Sequence, residues 1–140
     1  MTFGKLSTED ALKLLGNNKL GRLGCIADGE PYVVPINFFF DGEYLYVHSL
    51  AGKKINALRA NPRICLQVDE IEDSYHWRSV IVYGNYEEVT DEHLREHMLA
   101  ELFRRMPHLT PVESKMSKGI SQAIVFRFKP DSITGVGESW

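Results

Sequence analysis

Residues 20–49, LGRLGCIADGEPYVVPINFFFDGEYLYVHS, decide the fold. Three runs rich in β-branched and aromatic residues, Leu20–Ala27, 31–40 and 44–49, are separated by Asp28-Gly29 and Asp41-Gly42. Asp-Gly between two such runs signals a tight hairpin, because the turn needs positive φ, which these residues tolerate. Two signals in succession predict a three-stranded antiparallel meander. Pro35, inside the second run, cannot donate to a ladder and places that strand at an edge or a bulge.

Upstream, Ser7 and Asp10 stand at capping-box spacing and open a short helix, with Leu6 and Ala11 as its staple. Leu12, Leu14 and Leu15 give it an apolar face, and Gly16-Asn17-Asn18 ends it. Downstream, residues 52–61 read as a short helix stopped by Pro62. Residues 63–69 and 77–89 read as strands joined by a polar loop, 70–76. Thr90 then caps the longest helix, whose Asp91, Glu92 and Arg104-Arg105 suit the two ends of the helix dipole. Leu94, Met98, Leu102 and Met106 form its apolar stripe. Residues 107–118 read as irregular or weakly helical and 122–129 as a strand. Residues 131–135 read as a last short strand before a tail ending in Trp140. No repeat or linker divides the chain. The expectation is one mainly β domain over 1–140, with short α-helices and six or seven antiparallel strands closed into a barrel.

The 140 residues are 44% hydrophobic and 25% charged, the balance of a globular chain with a core of its own. A net charge of −3 argues against nucleic-acid or membrane-surface binding, which would want a basic face. No apolar run approaches a membrane span, and the first ten residues lack the apolar centre of a signal peptide. Cys25 and Cys65 form no CxxC pair and sit in strand-like apolar runs. They read as reduced, buried thiols, and the compartment as cytoplasm.

One local feature breaks the rules. Lys53 and Lys54 stand in the first turn of the helix after Gly52, the end where positive charge is unfavourable. A local rule broken without local gain marks a functional site. A bound anion would reverse the sign, since first-turn amides point outward and the lysines add full charges. Phosphate is the natural guest. Neither GxxxxGK[ST] nor GxGxxG is present, which disfavours a nucleoside triphosphate or a Rossmann-bound dinucleotide. The plain alternative is a pair of solvated surface lysines. Strand alternation puts Tyr44, Tyr46 and His48 on one face and Leu45, Val47 and Ser49 on the other. His48 precedes the lysines closely enough to line the same pocket, and Asn37 offers a donor and an acceptor to a planar ligand.

Taken in order, Tyr32-Val-Val-Pro-Ile-Asn-Phe38, Leu45-Tyr-Val-His-Ser49, Gly52-Lys-Lys54, Leu58-Arg-Ala-Asn-Pro-Arg-Ile64 and Trp77-Arg-Ser-Val-Ile-Val-Tyr-Gly84 carry a resemblance. Together with Gly21-Arg-Leu-Gly-Cys25, they resemble the FMN-binding split barrels related to pyridoxamine 5′-phosphate oxidase, and among them the Nim-type nitroimidazole-reductase group. The resemblance implies a homodimer with two FMN sites at its interface. Lys53 and Lys54 would hold the phosphate, next to Gly52. The isoalloxazine would lie along Val34, Pro35, Ile36 and Asn37, with His48 and Ser49 near its edge or the ribityl chain. Trp77, Arg78 and Ser79 would enter from the partner subunit. His48 falls where the Nim-type group carries a histidine near the flavin and is the candidate catalytic residue.

The chain also departs from these relatives. The Arg-x-His element that grips the oxidase's substrate phosphate is missing near the C-terminus, which argues against oxidation of pyridoxamine phosphate. Val136 follows Gly135 where many relatives carry a basic residue. The implied activity is a flavin-dependent oxidoreductase acting on a small planar acceptor. A non-enzymatic flavin carrier or sensor, and a haem-binding split barrel, stand as alternatives. His93-Leu-Arg-Glu-His97 matches the H-x-x-E-H zinc pattern. Its flanks read as a solvated face with no third ligand, so no metal is expected.

Overall fold

The computed structural model describes residues 3–104 and 123–138. The features expected at Arg105, Met106, 107–118, Gln122 and Trp140 lie outside the described residues. The first Asp-Gly signal forms the expected hairpin: β2 (Leu20–Ala27) pairs antiparallel with β3 (Glu30–Asn37), from Ala27 opposite Glu30 to Leu20 opposite Asn37. Asp28 and Gly29 at its tip both take positive φ, 52° and 78°. The second turn also forms. Asp41 Oδ1 accepts from the amides of Glu43 and Tyr44 at 2.8 and 2.7 Å, and Gly42 has φ 101°.

The expected meander, however, is cut in two. After Asn37 the Phe38 amide donates to the Lys19 carbonyl at 2.8 Å, while the Phe38 side chain is only 1% exposed. Past this buried residue the chain enters a second sheet, where β4 (Phe39–Phe40) pairs with β5 (Leu45–Ser49). The third run therefore pairs only with the last two residues of the second, Phe39 and Phe40. Burial of Phe38 at the turn-over point outweighs continuation of the first sheet.

The larger sheet has six strands in the order β1-β10-β7-β6-β2-β3. It adds β1 (Phe3–Lys5), β6 (Arg63–Asp73), β7 (His76–Asn85) and β10 (Ser132–Glu138). The smaller has four, β4-β5-β9-β8, with β8 (Glu87–Glu88) and β9 (Ile124–Phe128). All pairings are antiparallel. Among the described residues ten strands replace the expected six or seven, because β1, β4 and β8 are too short to show periodicity. Residues 70–76 are not a loop. The β6–β7 ladder runs through a bulge to Asp73 opposite His76, its polar side chains lying on an open stretch of sheet. Pro35 sits on the edge strand, where its missing donor costs no ladder bond.

Among the described residues three helices cover the strands: α1 (Thr8–Asn17), α2 (Lys53–Ala60) and α3 (Glu92–Arg104). Ser7 caps α1 by accepting from the Asp10 amide at 3.1 Å. The cap of α3 is Asp91 and not Thr90: Asp91 Oδ2 accepts from the Leu94 amide at 2.9 Å, the i to i+3 bond that a cap needs. Leu23, Leu66, Val68, Val80, Val82, Phe126 and Phe128 form the main core with Leu14 and Leu15 of α1 and Ile55 and Leu58 of α2. A second core, Tyr46, Met98, Leu99 and Val125 among it, joins α3 to the smaller sheet. Of the two thiols only Cys25 is buried. Cys65 is half-buried on the opposite face of the larger sheet, beside Gly24 on the neighbouring strand. Among the described residues no helix is long and apolar enough to cross a membrane.

Candidate functional site

α2 begins without help from any side chain. Its N-cap, Gly52, makes no side-chain capping bond, and no acidic residue stands in the first turn. The leading amides thus keep their outward capacity, and a cation at this end costs about 0.3–1 kcal/mol. Lys53 is exposed and lies over the Tyr32 ring, its Nζ 4.9 Å from the centroid. Lys54 is half-buried, and among the described residues it forms no salt bridge or hydrogen bond. Burial pushes its ammonium below the usual lysine value; the nearby Cys25 thiol offsets part of that. Burial raises the Cys25 thiol in turn, with Cys65 adding and Lys54 opposing.

A cleft of about 480 Å³ opens beside this turn. Ile26, Ala27 and Asp28 form one wall and Gly52, Lys53, Asn56, Ala57 and Ala60 the other. Gly52 is not there to relieve strain: its φ of 170° is ordinary extended backbone, and a Cβ would meet nothing within 4 Å. The residues fit a phosphate group. They combine unsatisfied helix amides, a half-buried ammonium without a carboxylate, and a second ammonium held at the cleft.

The four β3 residues expected along a flavin ring divide between two faces. Val34 and Ile36 pack into the main core, while Pro35 and Asn37 lie on the outer face of the larger sheet. Trp77 and Ser79 share that outer face. Trp77 Nε1 donates to Glu138 at 3.1 Å, and Ser79 Oγ accepts from Gln67 at 2.9 Å. Strands β6 and β2 stand between them and β3, and Pro35 is in register with Ile81, four residues from Trp77 along β7, so one chain holds Trp77 and Pro35 roughly 19 Å apart at the usual strand spacing and rise. Arg78 points the other way and bonds Glu70 at 2.6 Å. Burial would raise the Glu70 carboxyl, but hydrogen bonds from Asn18 and Arg78 hold it below the usual carboxylate range.

Alternation along β5 places its residues as expected. Val47 enters the main core, and Ser49, 8% exposed, donates to the Leu50 carbonyl at 2.8 Å. His48 faces α3, its ring 4.9 Å from that of Phe103. It therefore does not line the cleft beside Lys53. His93, Glu96 and His97 of the zinc-like pattern are exposed on α3. No group of three or more His, Cys, Asp or Glu among the described residues could hold a metal ion.

Comparison with known proteins fits this architecture. Residues 7–136 match the family model described as pyridoxamine 5′-phosphate oxidase. The chain belongs to the pyridoxamine 5′-phosphate oxidase family. An uncharacterized protein of Rhizobium meliloti (strain 1021) is 34% identical over 140 residues, covering 93% of this chain and 91% of that one. The crystal structure of a FAD-binding protein from Mesorhizobium loti is 35% identical, covers 99% of this chain and 100% of its own, and superposes with a TM-score of 0.81. A candidate 5-nitroimidazole antibiotic resistance protein from Bacteroides thetaiotaomicron is 20% identical, with 96% and 87% coverage and a TM-score of 0.75; it shows the shared fold.

Within this family's fold, sequence reading overlooks Tyr32, Asp28 and Asn56. Tyr32 lies opposite Cys25 on the inward face of the hairpin, a relation that the alternation contains. That α2 covers this face is a tertiary fact, and no local pattern reports it.

Proposed function

We propose that this protein binds FMN by its phosphate at Lys53, Lys54 and the first-turn amides of α2, and serves as a flavin-dependent oxidoreductase for a small planar acceptor. The observation that carries the reading is the uncapped α2 terminus beside a half-buried Lys54 with no anionic partner among the described residues. The FAD-binding relative from Mesorhizobium loti supports it, since FAD and FMN share the flavin and its 5′-phosphate. Bound flavin would supply reversible one- and two-electron chemistry. The chain's own part is to hold the phosphate, seat the ring along the outer edge of β3 at Pro35 and Asn37, and admit the acceptor. His48 is the group we assign to orienting the acceptor or giving it a proton, as an imidazole titrates near working pH.

The working unit in this proposal is a homodimer with two FMN sites. The outer face of the larger sheet supports it: Leu20, Ile26, Val33, Ile71 and Tyr83 are 39–67% exposed there. A second copy laid on that face would cover apolar surface and could bring its own Trp77 and Ser79 toward Pro35 and Asn37. Two free thiols suit a reducing compartment, and we place the protein in the cytoplasm.

Family membership does not extend the proposal to oxidation of pyridoxamine phosphate, for which the chain lacks the substrate-gripping Arg-x-His element. The position of His48 against Phe103, away from the cleft, favours a second reading, a flavin carrier without turnover. A visible spectrum after FMN addition tests the binding: flavin bands retained on desalting support it, a Soret band points to haem, and a colourless protein defeats it. Turnover of a nitroaromatic with reduced nicotinamide separates the oxidoreductase from the carrier.

A further inference from the structure

On the outer face of the larger sheet, Val33, Gly24, Cys65 and Tyr83 stand opposite one another on β3, β2, β6 and β7. Across such a row neighbouring side chains normally close over the backbone. Gly24 has no side chain, and a hollow opens between Val33 on one side and Tyr83 on the other. Ile26 and Pro31, the next outward pair toward the hairpin tip, close one end. The Cys65 sulfur leans into the gap and forms part of its floor, since a Cβ built on Gly24 would lie 2.7 Å from it. The hollow measures about 230 Å³.

The chemistry of the lining selects a class of ligand. Ile26, Pro31, Val33 and Tyr83 make the walls apolar, and among the described residues Arg63 is the one charged group at the rim. The Arg63 guanidinium is turned to Asp131, with bonds of 2.6 and 3.0 Å to its two carboxylate oxygens, and lies 5.7 Å from the centroid of the Tyr83 ring. A carboxylate thus already balances its charge. An anion entering the hollow would give up hydration with nothing to replace it. A neutral apolar ring avoids that cost, gains by burial, and meets a soft, polarizable sulfur at the floor. Apolar cavities of roughly 150 Å³ take up benzene, so this one has room for a single ring with a small substituent.

We propose that this hollow is a binding site for an uncharged, apolar molecule built on one aromatic ring. It stands on the opposite face of the β2–β3 hairpin from α2 and needs neither the phosphate site nor a bound flavin. A second copy laid on the outer face would roof the hollow, and the competing occupant is a side chain of that copy.

Labelling of Cys65 by methyl methanethiosulfonate, read by mass spectrometry of the purified protein, reports occupancy. Cys25, which is buried, is the internal control for unfolding. Toluene near its solubility limit should slow Cys65 labelling at least about threefold, and benzoate at the same concentration should leave it unchanged. Gly24→Ala puts a methyl group into the hollow, and Val33→Asp, at a position 66% exposed, sets a carboxylate on its rim. Each should abolish the protection by toluene, and the second serves if the first does not fold. Equal labelling of the parent with and without toluene, or equal protection by benzoate, would overturn the site. So would a Cys65 that labels only on dilution of the protein, whatever the toluene concentration, because the second copy would then fill the hollow itself.

Discussion

Lys53 Nζ lies 4.9 Å from the centroid of the Tyr32 ring. The lysine nearest the cleft is thus steadied by a side chain of the strand that, in our proposal, carries the flavin. A cation over an aromatic face at an exposed site contributes about 0.5–1 kcal/mol. Tyr32→Leu should therefore weaken FMN about two- to fivefold with riboflavin unaffected, and Tyr32→Phe should leave both alone. Equal losses for FMN and riboflavin in Tyr32→Leu would show that the ring acts only through packing.

Gly84 and Gly52 should respond to alanine in opposite ways. A Cβ at Gly84 would lie 2.5 Å from Phe128 Cδ2 and 2.7 Å from the Lys129 carbonyl oxygen, and the backbone atom cannot turn aside. Gly84→Ala should destabilise the fold by about 1–3 kcal/mol in urea unfolding. Gly52→Ala meets open space and should change stability by less than about 0.5 kcal/mol. Similar unfolding midpoints for the two variants would contradict this placement.

The start of α3 offers a test of the corrected cap. Asp91→Ala removes the oxygen that accepts from the Leu94 amide and should cost about 1 kcal/mol. Thr90→Ala removes no bond of this kind and should fall within about 0.5 kcal/mol of the parent. The reverse order in thermal melts would return the cap to Thr90.

At the tip of the β6–β7 hairpin, His76 Nδ1 stands 2.9 Å from Asp73 Oδ1. The hydrogen bond from His76 holds the Asp73 carboxyl below its ordinary value, and the same bond lifts the imidazole above its own. The Asp73 contribution to stability is present above the ordinary carboxylate pKa, about 3.9, and lost as pH falls through its lowered folded value. The His76 contribution is present below about 6.5 and lost as pH rises through the raised folded value. The window of full effect thus lies between those two ordinary values. NMR titration should find His76 above about 6.5 and return it there in Asp73→Asn; an unchanged His76 titration in that variant would exclude the pairing.

Features governed by neighbours in sequence are the ones that sequence reading recovers. The Asp28-Gly29 hairpin depends on positive φ at two adjacent residues, and β2 keeps the expected bounds. The Ser7 cap spans three residues. Lys53 and Lys54 are conspicuous because they oppose a dipole that any helix carries. The change of sheet at Phe38 is illegible, because the sheet that β5 joins is completed by β9, far along the chain. Trp77 and Pro35 fall on one outer face, but their separation by two strands depends on the order of the whole sheet. The orientation of His48 follows from alternation; that Phe103 awaits it there depends on where α3 packs.

The central claim is a phosphate held by Lys53 and Lys54. Its most direct measurement is the ratio of FMN to riboflavin affinity in the flavin-stripped protein and in the variant carrying Lys53→Ala and Lys54→Ala. The two ligands differ only by the phosphate. Charge-assisted bonds to it, at about 1.5–3 kcal/mol each, predict a ratio of at least about tenfold in the parent, collapsing toward one in the variant while riboflavin affinity is unchanged. A ratio that survives both substitutions, or affinities for the two ligands that fall together, would contradict the account.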